Sequence, residues 1–290
     1  MHPRGLPRAS RQLLRHLQDP GSNLRALTGL ENQAGLELLA SHLQVAELFW
    51  VAPDMAALAV SAGTQLAAAR WAPADRPAPC GLLWWDGGIG TISHSSGDIP
   101  VDGVVWGPAP DSTCLLWWLI DRRRVAEAFA AKGEQLVKEL VPPLMPVLGV
   151  GMPVTSDPLS MVELPVDAPA VPTLSLAAAW LLMQQPMLTD RSRLRGNGSA
   201  LRGYGRDELA DPEVTIIDLR RRYVPDDVDS HDEDGPGRRY RHRWVVSGHW
   251  RNQAYGPRRS KRRQIWVPAY VKGPDGAPLL ACERVNVWRR

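Results

Sequence analysis

Residues 80 to 120 read CGLLWWDGGIGTISHSSGDIPVDGVVWGPAPDSTCLLWWLI. Four short apolar runs, GLLWW, DGGIGTI, IPVDGVVWG and CLLWWLI, are bounded by glycine, proline and aspartate, the punctuation of strands joined by turns. The stretch predicts an antiparallel sheet. Leu82 to Trp85 and Leu115 to Trp118 spell the same LLWW string, and both are expected as central strands packed on an alanine-rich helix. Asp86 and Asp102 fall where strands end and read as turn residues.

Working outward, the upstream chain is helical in pattern from residue 22 to about 70. Leu24, Leu27, Leu30, then Leu36, Leu38, Leu39, Leu43, Val45 and Leu48 recur at roughly every three or four positions. Pro53-Asp54 breaks this run, with Asp54 as cap of a further helix through MAALAVSAGTQLAAA, where Gly63 is either simply tolerated or marks close helix packing. Before it, residues 1 to 20 are expected as a flexible basic N-terminus, without the apolar run of a secretory signal.

Downstream, residues 121 to 140 predict a helix with Val125, Phe129, Leu136 and Leu140 on one side. Eight prolines between 141 and 172 argue for a surface loop. TLSLAAAWLLMQQPMLTD supplies another helix, opened at Thr173 or Ser175 and interrupted at Pro186. Residues 190 to 212 are polar and glycine-rich, and EVTIIDLRRRYV alternates like a strand. The fold class expected is α+β, a helical N-terminal part packed on an antiparallel sheet, followed by a small basic β meander. Its parts are an acidic body (21–223), an acidic linker (224–237) and a basic module (238–290).

Composition divides the chain the same way. The 290 residues carry a net charge of only +3, but residues 238 to 290 hold 14 Lys or Arg against 2 Asp or Glu. Everything before them is net acidic. The linker PDDVDSHDEDGPG alone has six carboxylates, Asp226, Asp227, Asp229, Asp232, Glu233 and Asp234, placed to compete for the neighbouring arginines or simply to space two halves. Cys80, Cys114 and Cys282 show neither disulfide-framework nor zinc spacing, which fits a reducing cytoplasm. No run of ~18 apolar residues predicts a membrane span. No metal site and no cofactor are expected.

The strings LFWVAPDMAALAVSA, GLLWWDGGIG, DGVVWGP, WLLMQQPML and IIDLRRR, then VVSGHWRNQAYGP and RRQIWVPAYVKGP, together resemble an uncharacterised family of actinobacterial and mobile-element proteins. The resemblance covers most of the chain after residue 45 and implies no assigned activity. Its C-terminal string resembles a small module attached to unrelated N-terminal halves, which implies a portable binding role.

Within that module, Arg241, Arg243, Arg251, Arg258, Arg259, Lys261, Arg262 and Arg263 are candidate phosphate contacts, through charge-assisted and often bidentate hydrogen bonds. Trp250, Tyr255 and Trp266, with Trp244, stack bases or sugars if exposed; alternatively the tryptophans form the module's small core and the arginines are a solvated face. A first strand over 240 to 251 is expected, then a loop NQAYGPRRS, then strands through KRRQIWVPAYV and LLACERVNVW. The leading expectation is a non-enzymatic protein that binds nucleic acid, DNA or RNA, through the phosphate backbone. A second reading is an RNA-acting enzyme with His249 as base and Arg251 on the phosphorane. A third is a protein-interaction adaptor that uses the body. His94, Ser95, Ser96 and Asp98 are neighbours in one turn and do not converge as a triad would. DGGIG lacks the order of a phosphate-binding glycine motif.

Overall fold

The computed structural model describes residues 1–24, 33–66, 73–94, 97–110, 113–131, 133, 141–154, 164–195, 213–220, 243–272, 274 and 279–280. The chain divides into two compact units, Met1–Arg221 and Arg222–Arg290. The first contains helix α1 (Leu6–Gln18), α2 (Gln33–Val45), strand β1 (Glu47–Val51), α3 (Pro53–Gly63), β2 (Gly81–Trp85), the hairpin β3 (Thr91–His94) and β4 (Gly97–Pro100), β5 (Gly103–Pro108), β6 (Thr113–Asp121), α4 (Arg122–Ala131), β7 (Leu144–Pro153), α5 (Ala170–Met183), β8 (Thr189–Leu194) and β9 (Val214–Leu219).

Seven of these strands form one sheet in the order β7-β6-β5-β2-β1-β9-β8. β1 runs parallel to both β2 and β9, whereas β2/β5, β5/β6, β6/β7 and β8/β9 are antiparallel. The α+β class is as expected, but the sheet is mixed rather than antiparallel, because β1 inserts between β2 and β9 and runs parallel to both.

Successive side chains on a strand point to opposite faces, so a WW pair places one indole on each. Trp84 and Trp117 join Leu48, Leu82 and Val105 in a core closed by Leu6 and Leu13 of α1 and Leu39 and Leu43 of α2. On the other face, Trp106 meets Trp180 of α5 edge to face at 5.4 Å and stacks on Phe49 at 5.8 Å. α3 lies against α5 at Gly63, where a Cβ would sit 3.0 Å from the backbone of Leu174 and Ser175. Of the two readings of Gly63, close helix packing is the one present.

Space for these rings comes from glycines directly across the strands. Gly81 pairs with Trp106, Gly103 with Trp84 and Gly149 with Trp117. A Cβ on those glycines would fall 2.2, 2.9 and 2.8 Å from the facing indole. His42 repeats the arrangement from a helix: its ring lies over Gly107, where a Cβ would fall 2.4 Å away, and Nε2–H donates to the Pro108 carbonyl at 2.9 Å. Nδ1 is buried without a partner. Burial therefore lowers the pKa of this histidine, against the opposing effect of the carbonyl bond.

Several expectations need correction. Residues 1 to 20 are not a flexible arm: Leu6 and Leu13 are fully buried, Ala9 nearly so, while Arg8, Arg11 and Arg15 face outward. ELFWV, read as part of a helical run, is strand β1. The proline-rich loop contains β7, an edge strand, where proline does not interrupt a central ladder. Pro146 pairs with Leu119 and Leu148 with Trp118, so the register slips by one residue beside the proline. Asp54 is not the cap of α3; Ala52 is, and Asp54 lies in the first turn. α5 opens at Ala170 with Pro169 as cap, ahead of Thr173 and Ser175. Asp102 is no surface turn residue: its buried carboxylate accepts from the Asp121 N–H at 2.9 Å and pairs with Arg124 Nε at 3.0 Å. Burial raises its pKa, opposed by those two partners.

Gly81→Ala should drive the Trp106 ring from its place and destabilise the protein by about 1–3 kcal/mol in urea unfolding. Because both changes act on one contact, Gly81→Ala combined with Trp106→Leu should cost less than the sum of the two. Strict additivity would show that the glycine is not there for the ring.

Stability should also fall on acidification. A histidine whose folded pKa lies below its unfolded value of ~6.5 binds more protons when unfolded, so its contribution is complete above that pH and lost below it. His16, lowered chiefly by burial, acts in the same direction. The melting temperature should drop between about pH 7.5 and 5, and His42→Gln, which keeps a donor for the Pro108 carbonyl, should flatten that dependence.

Candidate nucleic-acid interface

The second unit contains β10 (Arg243–Val246), β11 (His249–Tyr255), β12 (Lys261–Val267), β13 (Tyr270–Lys272) and β14 (Leu279–Leu280). β11 and β12 form a hairpin that is a two-stranded sheet of its own, and β10 lies between β13 and β14, antiparallel to the first and parallel to the second. The single strand expected over 240 to 251 breaks at Ser247-Gly248 and continues to Tyr255. The turn is confined to residues 256–260. Most of LLACERVNVW and the whole acidic linker lie outside the described residues.

Hairpin register runs from His249 opposite Val267 to Tyr255 opposite Lys261. Trp250 and Trp266 face each other across it, edge to face at 5.3 Å, and are 9% and 4% exposed. Gly248 sits under the Trp266 ring, where a Cβ would be 2.6 Å away. These two indoles anchor the hairpin's base and are withdrawn from the stacking surface expected of them. The glycine before His249 follows from the same packing and needs no catalytic explanation.

From Tyr255 to Arg263 every residue is exposed. Cross-strand alternation puts Arg251, Tyr255, Lys261 and Arg263 on one face, and Asn252, Arg262 and Gln264 on the other. Arg258 and Arg259 occupy the tip. Arg263 holds its guanidinium 5.4 Å from the centre of the Tyr255 ring, a cation–π contact that fixes both side chains. Arg251 donates to the Gln253 amide oxygen. No Asp or Glu occurs between residues 235 and 274. Arg243 is half-buried in β10, and Arg241 lies outside the described residues.

His249 donates Nδ1–H to the Ser247 carbonyl at 3.0 Å, since a carbonyl only accepts. This fixes the ring beside its own backbone. Arg251, on the same face two residues on, is engaged by Gln253. In the body, Ser93 bonds Asp98 at 3.1 Å within the β3–β4 hairpin, and Ser95 and Ser96 lie outside the described residues. Among the described residues no group of three or more His, Cys, Asp or Glu is placed to hold a metal ion, and no helix is long and apolar enough to cross a membrane.

Two features of the hairpin escaped sequence reasoning. One is the Tyr255–Arg263 pair, which needs the register to be known. The other is the tip geometry: Arg258 has φ 51° and Arg259 φ 56°, after Gly256 at 77°. Gly-Pro announces a turn, but nothing in the string announces two left-handed arginines.

No protein-family model matches the chain, and no curated protein matches it. It is similar to the crystal structure of AcrVA2, with a TM-score of 0.38 and 12% identity over 90% of this chain and 92% of that one.

Proposed function

We propose that the chain is a cytoplasmic, non-enzymatic nucleic-acid-binding protein that engages the phosphate backbone with its basic C-terminal β module. The observation that carries this reading is the exposed run from Tyr255 to Arg263, with five cationic side chains and no carboxylate. Like charges held this close repel one another, and a polyanion relieves that repulsion while it releases its own counterions. Arginine outnumbers lysine here four to one, which suits bidentate contact with phosphate oxygens. The resemblance of VVSGHWRNQAYGP and RRQIWVPAYVKGP to a portable module supports the same reading.

If the module contacts about four to six phosphates, log affinity against log salt should fall with a slope of roughly −4 to −5 on duplex DNA. A slope near zero between about 50 and 300 mM salt would remove the proposal.

Arg262→Glu with Arg263→Glu should weaken binding more than tenfold, about 1.4 kcal/mol. His249→Ala should leave affinity within about threefold. Loss of an RNA-cleaving activity in His249→Ala at unchanged affinity would instead replace this reading with the enzymatic one.

A further inference from the structure

Resting on the nucleic-acid reading above, we infer that the ligand is double-stranded DNA, with the β11–β12 hairpin lying as a two-stranded ribbon in its major groove and Arg258 and Arg259 carried in on the tip. Three observations converge on this. The first concerns aromatic rings. Sequence-tolerant grip on an unpaired strand needs flat side chains on which bases stack. Of the three hairpin rings, Trp250 and Trp266 are buried against each other, and Tyr255 carries the Arg263 guanidinium over its face. What the hairpin presents is charge and hydrogen-bonding capacity.

The second concerns shape. Beyond the buried indoles the pairs from Arg251–Ile265 to Tyr255–Lys261 project, which at ~3.3 Å per residue gives a ribbon about 16 Å long with its two strands ~4.8 Å apart. The major groove of B-form DNA, ~12 Å wide, admits such a ribbon without deformation. The deep, narrow major groove of an RNA duplex does not. A flat anionic surface would need cations on a single face. This ribbon has Arg251, Lys261 and Arg263 on one face and Arg262, with Asn252 and Gln264, on the other. Inside a groove, phosphate walls flank the ribbon and base edges lie beneath it, so both faces find partners. Asn252 and Gln264 face each other in register, and such amides pair with adenine edges as arginine pairs with guanine.

The third concerns the tip. Arg258 and Arg259 are consecutive residues with positive φ, a conformation that glycine or asparagine adopts with far less strain. Arg258 and Arg259 lie in the turn that closes the ribbon, so they are the cations at its leading end. Strain held at an exposed tip is the kind of outlier that marks a functional site.

The test uses the full chain, titrated at about 50 mM salt against a short labelled DNA duplex, one of its single strands, and an RNA duplex of the same sequence. The DNA duplex should bind at least about tenfold more tightly than either of the others. Methyl green, which occupies the major groove, should displace the protein from DNA, and netropsin, which occupies the minor groove, should not. Arg258→Gly with Arg259→Gly keeps a turn that glycine tolerates and removes both charges. It should lower duplex affinity at least tenfold and make the salt slope shallower by about 2. Equal or tighter binding of the single strand or the RNA duplex overturns the inference, as does displacement by netropsin alone, and the nucleic-acid reading then survives. Absence of binding to all three removes that reading as well. The wild-type comparisons decide the matter even if the double variant fails to fold.

Discussion

The alternation of side chains across a β-strand is the constraint on which the first unit depends. Two adjacent tryptophans on β2, and two more on β6, force bulky indoles onto both faces of the sheet, so neither face can be left to water. Each then needs a helical layer: α1 and α2 on one side, α5 with α3 against it on the other. On one cross-strand side of Trp84, Trp106 and Trp117 the facing residue is glycine, which leaves room for the ring. Polar satisfaction yields to this packing. The indole N–H groups of Trp84, Trp85, Trp117, Trp118 and Trp180 are buried without a hydrogen-bond partner, whereas Trp106 donates to the Ala78 carbonyl at 2.8 Å. An orphaned N–H costs about 1–3 kcal/mol, which the burial of an indole surface of ~200 Å² offsets.

Much of this was legible. β2, β5, β6 and β9 stand out as short β-rich runs between turn residues, and α5 as an unbroken apolar helix before Pro186. Misread elements share a cause, in that the local pattern pointed one way and tertiary context another. ELFWV continues an apolar helix in phase and becomes a strand only because β2 and β9 supply ladders on both sides. Residues 144–153 look too rich in proline for a sheet, yet an edge position and a one-residue slip accommodate Pro146. The N-terminal arginines point to an unfolded arm, whereas the spacing of Leu6, Ala9 and Leu13 matches the buried face of the helix that forms there. Parallel pairing could not be read at all, since no local signal links residue 48 to residue 214.

For the candidate interface, the sequence supplied the cations but not their arrangement. Tryptophan is equally at home in a core or on a stacking surface, and only the facing of Trp250 and Trp266 across the hairpin decides between them. Gly248 was suggestive beside a histidine, but its partner is the indole eighteen residues further on. Distribution over two faces and a tip is likewise a property of register. Changing the hairpin pairing by one residue would gather those charges differently.

The place of β1 in the sheet carries a consequence for biosynthesis. Its hydrogen-bonding edge toward β9 is completed by Val214–Leu219, more than 160 residues later in the chain. At ~5–20 residues per second, translation exposes that edge for roughly ten to thirty seconds before its partner leaves the ribosome. During this interval the nascent chain displays an apolar strand with an open ladder, the kind of surface that holding chaperones recognise and that mispairs between neighbouring chains. Closing so long a loop also makes the final assembly of the sheet a late event, slow relative to the local β5–β6 hairpin. An interior strand of the unit is thus among the first synthesised and the last to be fully paired.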